Sequence, residues 1–275
     1  MTKFADLHIH THYSDSTLSP EEVVQEAANG GLSCIAITDH DTIDGVKPTQ
    51  LAAEPFDLEV ISGIELSSEA QGKDIHILGY FIDCSNAVLQ TELKKMQKAR
   101  ITRIKGMVEK LKIQGIDNIT YEEVAILTHS DAIGRVHLAS VLKKKGWVSS
   151  IPEAFEKYIG EECPAYVSKF KISPYEAISL IKQSGGIAVL AHPMITNKDE
   201  LIPSFVHAGL QGIEVYYPNY SDVTLRYYEG IAKKHNLVMT GGSDAHGKAK
   251  ANTCIGKTRV SYDFVVQMKE QLAKK

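Results

Sequence analysis

The sequence has few cysteines, no long apolar run and no apolar leader. Its four cysteines lie far apart and form no CxxC pair, which argues against a disulfide framework or a cysteine zinc site. No apolar run approaches the ~18 residues of a membrane helix, and the N-terminal segment turns polar at once, unlike a signal peptide. We therefore expect a cytoplasmic protein that does not contact a membrane.

The chain also has no large excess of charge of either sign. Its 275 residues include 30 Lys and Arg against 34 Asp and Glu, a net charge of −4 that gives no reason to expect a long nucleic-acid track. A hydrophobic fraction of 43% excludes a disordered chain. Histidine, in contrast, is abundant with 11 residues, so the positions of the histidines are the feature to explain.

Short apolar strands alternate with helices over most of the chain, which is typical of an α/β fold with a parallel sheet, open or closed into a barrel. Residues 86–171 break this alternation because they are mostly helical, and they carry 15 Lys and Arg against 10 Asp and Glu. We predict a metal-binding barrel formed by residues 1–85 and 172–275, capped by a helical insert, 86–171. The charge of the insert indicates either a solvated face or a cap over an anion site.

The first predicted strand contains a pair of histidines. In Asp6-Leu7-His8-Ile9-His10, the period of two residues puts the aspartate and both histidines on one face of the strand. Two neighbouring imidazoles suit one metal ion, although a single HxH motif also arises by chance on an edge strand.

Most of the other predicted strands carry His, Asp or Glu at their ends, and the strand ends form the active-site face of parallel α/β folds. Core packing does not predict this choice of residues. These strand ends and the segments near them offer nine candidate metal ligands. A single catalytic zinc takes three protein ligands, so nine suit two or three divalent ions. Mixed imidazole and carboxylate ligands favour Zn, Mn or Fe, and the surplus positive charge favours a phosphate ester as substrate. The candidate ligands are His8, His10, Asp15, His40, Glu65, His76, His192, Asp244 and His246.

These residues resemble the motifs of the PHP (polymerase and histidinol phosphatase) family. The resemblance implies a distorted (β/α)7 barrel, the PHP fold, with a trinuclear metal centre at the carboxyl ends of the strands and Mn as the expected metal. The matching segments occur in the family's order: Asp6-Leu7-His8-Ile9-His10-Thr11, Ser14-Asp15, Thr38-Asp39-His40-Asp41-Thr42, Gly63-Ile64-Glu65, His76-Ile77-Leu78-Gly79-Tyr80, Ala191-His192-Pro193 and Gly242-Ser243-Asp244-Ala245-His246.

The resemblance also implies how the ligands are grouped and what they do. A hydroxide that bridges two metals would be the nucleophile. Asp6 and Asp39 would orient histidine ligands. The three implied ligand groups are His8, His10, Glu65 and Asp244; Glu65, His76 and His192; and Asp15, His40 and His246.

The insert is similar to that of the branch of the family that acts on nucleotides. The segment 134–139, GRVHLA, resembles a GRPHLA-type segment, and 166–169, YVSK, resembles a YVPK-type segment. We expect Arg135 and Lys169 to clamp a substrate phosphate, and His137 either to act as a donor or acid or to cap its helix. Arg100 and Arg103 are expected to be exposed. The remaining histidines are expected to be structural: His12, His129, His207 and His235.

We therefore expect a metal-dependent phosphatase that removes the 3′-phosphate of a 3′,5′-nucleotide bisphosphate, such as adenosine 3′,5′-bisphosphate. Its partner would be a small nucleotide or a short oligonucleotide, and the oligomeric state is open. The alternatives are a histidinol-phosphate phosphatase, a 5′-3′ exonuclease on short RNA, and a non-catalytic nucleotide-binding module. A metal-dependent amidohydrolase is a further rival, although no lysine is suitably placed to form a carbamylated metal bridge.

Overall fold

The central sheet has eight strands in the computed structural model, which describes residues 2–168, 170, 172–250 and 253–274. The strands lie in the spatial order β7-β6-β5-β4-β3-β2-β1-β8, so the first seven follow one another around the sheet in chain order. They are β1 (Phe4–Ile9), β2 (Cys34–Ile37), β3 (Glu59–Ala70), β4 (Lys73–Tyr80), β5 (Ile187–Leu190), β6 (Gly212–Tyr216), β7 (Val238–Gly241) and β8 (Val260–Ser261).

The first and seventh strands approach each other, which nearly closes the sheet into a barrel. Just beyond their ends, the His10 N–H donates to the Ala245 carbonyl at 3.1 Å. Gly242 runs so close to β1 that a Cβ there would lie 2.3 Å from the His8 backbone nitrogen, so a larger residue would force the strands apart. The expected α/β barrel is confirmed, and β8 is a short antiparallel addition at the start of β1.

The expectation of a parallel sheet is wrong for β4, which runs antiparallel to both β3 and β5. Gln71 and Gly72 connect β3 to β4 with φ angles of 51° and 73°, the left-handed values of a tight two-residue hairpin. A connection this short can only join antiparallel strands. As a result, the first half of β4, with His76, lies at the edge of the barrel where the parallel strands end.

Helices cover the outside of the barrel and form the insert. The start of the first helix follows its sequence signals, because Ser19 and Glu22 accept from each other's backbone N–H groups in a capping box. No helix among the described residues is long and apolar enough to cross a membrane. The helices are α1 (Pro20–Asn29), α2 (Val46–Ala53), α3 (Ala87–Ile113), α4 (Tyr121–Ala125), α5 (Arg135–Lys144), α6 (Ile151–Ala154), α7 (Pro174–Gln183), α8 (Pro193–Thr196), α9 (Ile202–Ala208), α10 (Asp222–His235) and α11 (Asp263–Leu272), with a π-helical turn at Phe155–Ile159 and 3₁₀ turns at Asp199–Leu201 and Gly247–Ala249.

The insert has an apolar cluster of its own, to which helices α3 to α6 contribute buried side chains such as Met107 and Leu142. The first half of α3 belongs instead to the core of the barrel, through Leu89, Leu93 and Met96. One continuous helix of 27 residues thus extends from the barrel core into the insert. We keep the division into a barrel (1–85 and 172–275) and an insert (86–171) as a proposal, which the separate cluster supports.

Candidate metal centre

All nine predicted ligands lie together at one end of the barrel. His8 belongs to β1 and His10 follows it directly, and both side chains are completely buried, as the period of two residues requires. The others lie in β3 and β4 or in the segments that follow β1, β2, β5 and β7: Asp15, His40, Glu65, His76, His192, Asp244 and His246.

Glu65 is at the centre of this cluster and contacts five of the six histidines. Its Oε1 atom is 2.8 Å from Nδ1 of His76 and 3.0 Å from Nε2 of His192. Its Oε2 atom lies 3.2–3.3 Å from ring nitrogens of three further histidines: His8, His10 and His40. A carboxylate with imidazoles around both oxygens is suited to bridge two metal ions.

Two more carboxylates approach the cluster from the opposite side. Asp244 Oδ1 lies 3.2 Å from Nε2 of His10, 3.5 Å from Nε2 of His8 and 3.4 Å from Nδ1 of His246. Asp15 Oδ1 is 3.2 Å from Nε2 of His246. His246 therefore lies between these two carboxylates and joins them into one continuous cluster.

The donor atoms fit divalent metal ions. Neither ring nitrogen of the buried His10 makes a well-directed hydrogen bond among the described residues, although carboxylate oxygens lie within 3.3 Å, so these groups point at a common space rather than at each other. Ligands about 2.1 Å from a tetrahedral ion would be roughly 3.4 Å apart, in agreement with these separations. Three overlapping sets have donors within 4.8 Å of one another: His8, His10 and Glu65; His40, Glu65 and His76; and His10, Asp15, His40 and His246.

These sets differ from the implied ligand groups in four residues. His10 joins the set around Asp15, and His40 joins the set around Glu65, whereas Asp244 and His192 are in none of the three sets found among the described residues. The overlap follows from the position of His10 and His40 between neighbouring carboxylates. The assignment of individual ligands to individual ions therefore stays a prediction.

The ionisation of these groups also suits metal binding. Burial raises the pKa of a carboxyl group, but the surrounding imidazoles outweigh it and hold the pKa values of Glu65, Asp15 and Asp244 well below their usual range. Burial lowers the pKa of His10, but the neighbouring Asp244 and Glu65 carboxylates raise it to about 9. At His40, burial prevails and lowers the pKa to about 3. The carboxylates are therefore ionised at neutral pH, as metal ligands must be.

Glu214, which sequence reasoning left out of the site, orients two of the histidines. Its Oε1 atom is 2.9 Å from Nδ1 of His8, and its Oε2 atom accepts the backbone N–H of His192 at 2.8 Å. An acceptor at Nδ1 keeps the proton there and turns the Nε2 lone pair toward the cluster. The position of Glu214 in the apolar strand β6 was the only sequence signal for this role.

The two aspartates that were expected to orient histidine ligands bind backbone and hydroxyl groups. The Asp6 carboxylate accepts the backbone N–H groups of Ser243 at 2.9 Å, Gly256 at 2.8 Å and the ligand His8 at 3.4 Å. The Asp39 carboxylate accepts from the backbone and hydroxyl of Thr11 and from the hydroxyl of Ser14. Both residues therefore hold the backbone of segments that carry ligands, and their role in orienting histidine ligands stays a prediction.

Tyr217 and Lys250 hold the outer oxygen of Asp244. The Tyr217 hydroxyl donates to Asp244 Oδ2 at 2.6 Å, and the Lys250 ammonium contacts the same oxygen and lies 3.1 Å from the Tyr217 hydroxyl. With Oδ2 engaged in this way, only Oδ1 faces the histidines. Asp244 and His192 also have left-handed φ angles of 50° and 27°, a backbone strain that is often found at functional sites.

A second cavity adjoins the ligand cluster on the side of the insert. It measures about 180 Å³, and the cavity over the cluster measures about 310 Å³. The two share Asp15, His40, His76 and Val136 in their walls, so they lie side by side.

Three arginines line this second cavity, which we call the arginine cavity: Arg100, Arg103 and Arg135. The expectation that Arg100 and Arg103 are exposed is wrong, because this face of α3 turns toward the barrel. The Arg100 side chain is 14% exposed and binds Asp41 through two of its nitrogens. Burial and the nearby Arg135 and Arg100 lower the pKa of Arg103 to about 10. Such crowding of positive charge indicates an anion site.

The structure describes two of the three predicted substrate contacts and places them in different surroundings. Arg135 lies in the arginine cavity, with its guanidinium 5.2 Å from the centre of the Phe155 ring and donating to the Ile159 carbonyl. His137 is 6% exposed, and its Nδ1 accepts the Gly134 N–H at 2.9 Å. This contact caps the start of α5, which is one of the two roles expected for His137. Lys169 lies outside the described residues.

The histidines that were expected to be structural stay away from the cluster of donors. His12 and His129 stack on each other with ring centroids 4.0 Å apart, at a contact between the barrel and the insert. His235 is the last residue of α10, where a cation would interact favourably with the helix dipole.

The fold and the site define a class: an α/β barrel with a cluster of candidate metal ligands at the ends of its strands. The PHP domain matches residues 6–248. A 5′-3′ exoribonuclease of Haemophilus influenzae is 33% identical over 251 residues, which cover 90% of this chain and 91% of that protein. A 3′,5′-nucleoside bisphosphate phosphatase of Chromobacterium violaceum is 32% identical over 258 residues, which cover 92% and 90% of the two chains.

A solved structure agrees with these relatives. It is that of a Bifidobacterium adolescentis protein assigned as a metal-dependent phosphoesterase, which superposes with a TM-score of 0.87 at 30% identity and covers 96% of this chain and 94% of its own. The chain therefore belongs to the PHP domain family, and it is a metal-dependent phosphoesterase, a phosphoric ester hydrolase.

Proposed function

We propose that this phosphoesterase removes the 3′-phosphate of a 3′,5′-nucleotide bisphosphate and leaves the 5′-nucleotide. The observation that carries the proposal is the adjacency of two anion sites, the ligand cluster and the arginine cavity, which share His40 and His76. A substrate with two phosphates on one ribose can occupy both at once. The phosphate over the cluster is hydrolysed, and the phosphate held by the arginines positions the nucleotide.

The nine ligands would hold two or three divalent ions, and Mn, Zn and Fe all suit a mixed set of imidazoles and carboxylates. Such ions lower the pKa of a bound water to roughly 7 and so supply a nucleophile at neutral pH. The residues of the chain do the rest. Glu214 orients His8 and His192, and Arg103 and Arg135 neutralise the second phosphate. Lys169 is kept as a further proposed phosphate contact.

The arginine cavity has the charge that this role needs. Arg100 is partly neutralised by Asp41, but neither Arg103 nor Arg135 forms an ion pair with a carboxylate among the described residues. Their guanidinium groups donate to the carbonyls of Val167 and Ile159, and Arg103 also bonds the Tyr166 side chain, which leaves several of their five N–H donors for a ligand. The name of one relative, a 3′,5′-nucleoside bisphosphate phosphatase, describes a substrate of this kind.

The test uses the purified full chain loaded with Mn and adenosine 3′,5′-bisphosphate. We expect release of one phosphate and formation of 5′-AMP, with a higher kcat/KM than for 3′-AMP, which lacks the second phosphate. No phosphate release with Mn, Zn or Fe, or equal kcat/KM for both substrates, would contradict the proposal.

The Arg135→Ala variant tests whether the arginine cavity binds the second phosphate of the substrate. It removes charge-assisted hydrogen bonds worth about 2 kcal/mol, so KM for the bisphosphate should rise roughly 10- to 100-fold while that for 3′-AMP changes little. Arg226→Ala, an exposed arginine of α10, is the matched control and should change neither value.

A histidinol-phosphate phosphatase shares the ligand cluster but has no use for the arginine cavity, because its substrate carries one phosphate and a positively charged amine. Rates on histidinol phosphate and adenosine 3′,5′-bisphosphate, measured side by side, separate the two functions. A non-catalytic nucleotide-binding module would bind the bisphosphate but release no phosphate with any of the metals.

A further inference from the structure

A third cavity borders the arginine cavity along α3. It measures about 450 Å³, which is more than either of the two cavities described above. Arg103 lines both this cavity and the arginine cavity, so the two lie side by side. We call the third cavity the outer groove. Among the residues that line it are Lys95, Lys98, Thr102, Arg103, Val167 and Phe170.

The helical period of α3 explains why the outer groove lies next to the arginines. Lys95, Lys98 and Thr102 are spaced three and four residues apart, so they form one stripe along the helix. Arg103 comes one turn after Arg100 and lies between that arginine and the stripe around the helix. A ligand of the arginine cavity that extends past Arg103 therefore meets this stripe.

The segment 167–170 forms the other wall of the outer groove. Nε of Arg103 donates to the Val167 carbonyl at 2.8 Å. A Cβ added at Gly106 would lie 3.4 Å from a methyl group of Val167, so the segment packs closely against α3. Phe170 is 54% exposed, so its ring is accessible to a ligand. The outer groove thus combines cations on one wall with apolar side chains on the other.

We propose that the outer groove binds the group that a substrate carries beyond its 5′-phosphate, and that the substrates include nucleoside 5′-diphosphates with a 3′-phosphate and their organic esters. This inference rests on the proposed function, because it uses the arginine cavity to place the 5′-phosphate. The bond that breaks is unchanged. Water attacks the 3′-phosphate, the bond between phosphorus and the 3′-oxygen breaks, and one proton of water ends on that oxygen.

The charges of the outer groove suit a second phosphate on the 5′ side. A phosphate joined to the one in the arginine cavity lies next to Arg103, which borders both cavities. Lys95 pairs with Glu92 at 2.6 Å, but Lys98 forms no ion pair with a carboxylate among the described residues. Lys98 therefore has its charge free for the second phosphate.

The apolar wall suits an uncharged organic group at the end of the diphosphate. Val167 and Phe170 present aliphatic and aromatic surface to the outer groove, and contact with such surface removes apolar atoms of a ligand from water. The size of the groove leaves room for a group larger than a phosphate. We therefore expect an ester of the diphosphate to bind at least as well as the simple bisphosphate.

The test compares coenzyme A with adenosine 3′,5′-bisphosphate as substrates of the Mn-loaded full chain. Coenzyme A is an adenosine 3′-phosphate whose 5′-diphosphate carries a long, uncharged pantetheine arm, so it can occupy both the arginine cavity and the outer groove. We expect release of its 3′-phosphate and formation of dephospho-coenzyme A, with a KM no higher than that of the bisphosphate.

Two variants test the two walls separately. Lys98→Glu replaces the free cation by a negative charge and should raise KM for coenzyme A about tenfold relative to KM for the bisphosphate. Phe170→Ala removes apolar surface and should raise the same ratio several-fold. The matched control is Lys143→Glu, at an exposed lysine in the last turn of α5 that does not line the outer groove. It changes the net charge equally and should leave the ratio unchanged.

A second readout does not depend on turnover. Calorimetric titration of the same protein with the two expected products should show that dephospho-coenzyme A binds several-fold more tightly than 5′-AMP, and Lys98→Glu should remove this advantage. If the bisphosphate is hydrolysed but coenzyme A is not, or if Lys98→Glu and Phe170→Ala both leave the ratio unchanged, the outer groove is not a substrate site. If neither substrate is hydrolysed, the proposed function fails and this inference with it.

Discussion

Replacing Glu214 by glutamine should weaken metal binding although Glu214 is not a predicted ligand. Its two oxygens accept different protons, from Nδ1 of His8 at 2.9 Å and from the backbone N–H of His192 at 2.8 Å. Glutamine has the same size but offers one oxygen and one NH₂ group. If the glutamine oxygen accepts the hydrogen bond from Nδ1 of His8, the NH₂ group faces the backbone N–H of His192. Both of these groups are donors, so no hydrogen bond can form between them.

In the opposite orientation the NH₂ group donates toward Nδ1 of His8, which must then accept this hydrogen bond and carry no proton of its own. The ring would be forced into the other tautomer, with its proton on Nε2, the nitrogen that faces Glu65 at 3.2 Å. A protonated Nε2 cannot bind a metal. Loss of a partner that orients a ligand typically costs 10- to 100-fold in metal affinity, or about 1.4 to 2.7 kcal/mol.

The assay is equilibrium dialysis against buffered free Mn, with bound metal measured by atomic emission. The Glu214→Gln variant should need a 10- to 100-fold higher free Mn concentration for half occupancy. Glu229→Gln is the matched control, because the Glu229 carboxylate accepts one hydrogen bond, from the Tyr216 hydroxyl at 3.0 Å, away from the ligands. An affinity within twofold of the unmodified protein would refute the orienting role.

Three further changes have defined outcomes. Arg100→Met removes the buried ion pair between Arg100 and Asp41 and should lower the free energy of unfolding by about 3 kcal/mol, seen as a midpoint about 6 °C lower in thermal unfolding; a shift below 2 °C would contradict a stabilising role of the pair. Because the pKa of His10 is raised to about 9, metal binding near pH 8 must displace its proton, so the apparent affinity should rise with pH up to about 9 and calorimetry in buffers of different ionisation enthalpy should show proton release. Gly242→Ala should prevent closure of the barrel and yield little folded protein, whereas Gly230→Ala, with no atom within 4 Å of the added Cβ, should be as stable as the original or slightly more so in the same unfolding assay.

The ligand cluster could be predicted because the pattern that places it is local. Alternation along β1 puts His8 and His10 on one face, and their ring centroids lie 5.2 Å apart in the structure. The remaining ligands follow apolar strands whose carboxyl ends meet at one end of a barrel. Glu65 and His76 are exceptions, since both lie inside strands, and only the tight turn at Gln71 and Gly72 brings His76 to that end.

Contacts between distant segments could not be predicted in the same way. Glu214 and His8 are 206 positions apart, and Arg100 and Asp41 are 59 apart. Nothing near Arg100 in the sequence distinguishes it from an exposed arginine, because its burial depends on which face of α3 turns toward the barrel. The structural role of Asp6 was missed for the same reason, since its partners are backbone groups of a loop near the C-terminus.

The net charge of the insert matters less for the substrate than the position of three of its arginines. The run of lysines at the end of α5, 143–145, is exposed, and Lys145 pairs with Glu123 at 2.6 Å. Arg100 and Arg103, in contrast, lie on the same helix as Leu93, which is buried in the barrel core. Since one continuous helix connects that core to the arginine cavity, the fold itself sets the separation between the arginines and the ligands. Under the proposed function, this fixed separation would select a substrate by the distance between its two phosphates rather than by its total charge.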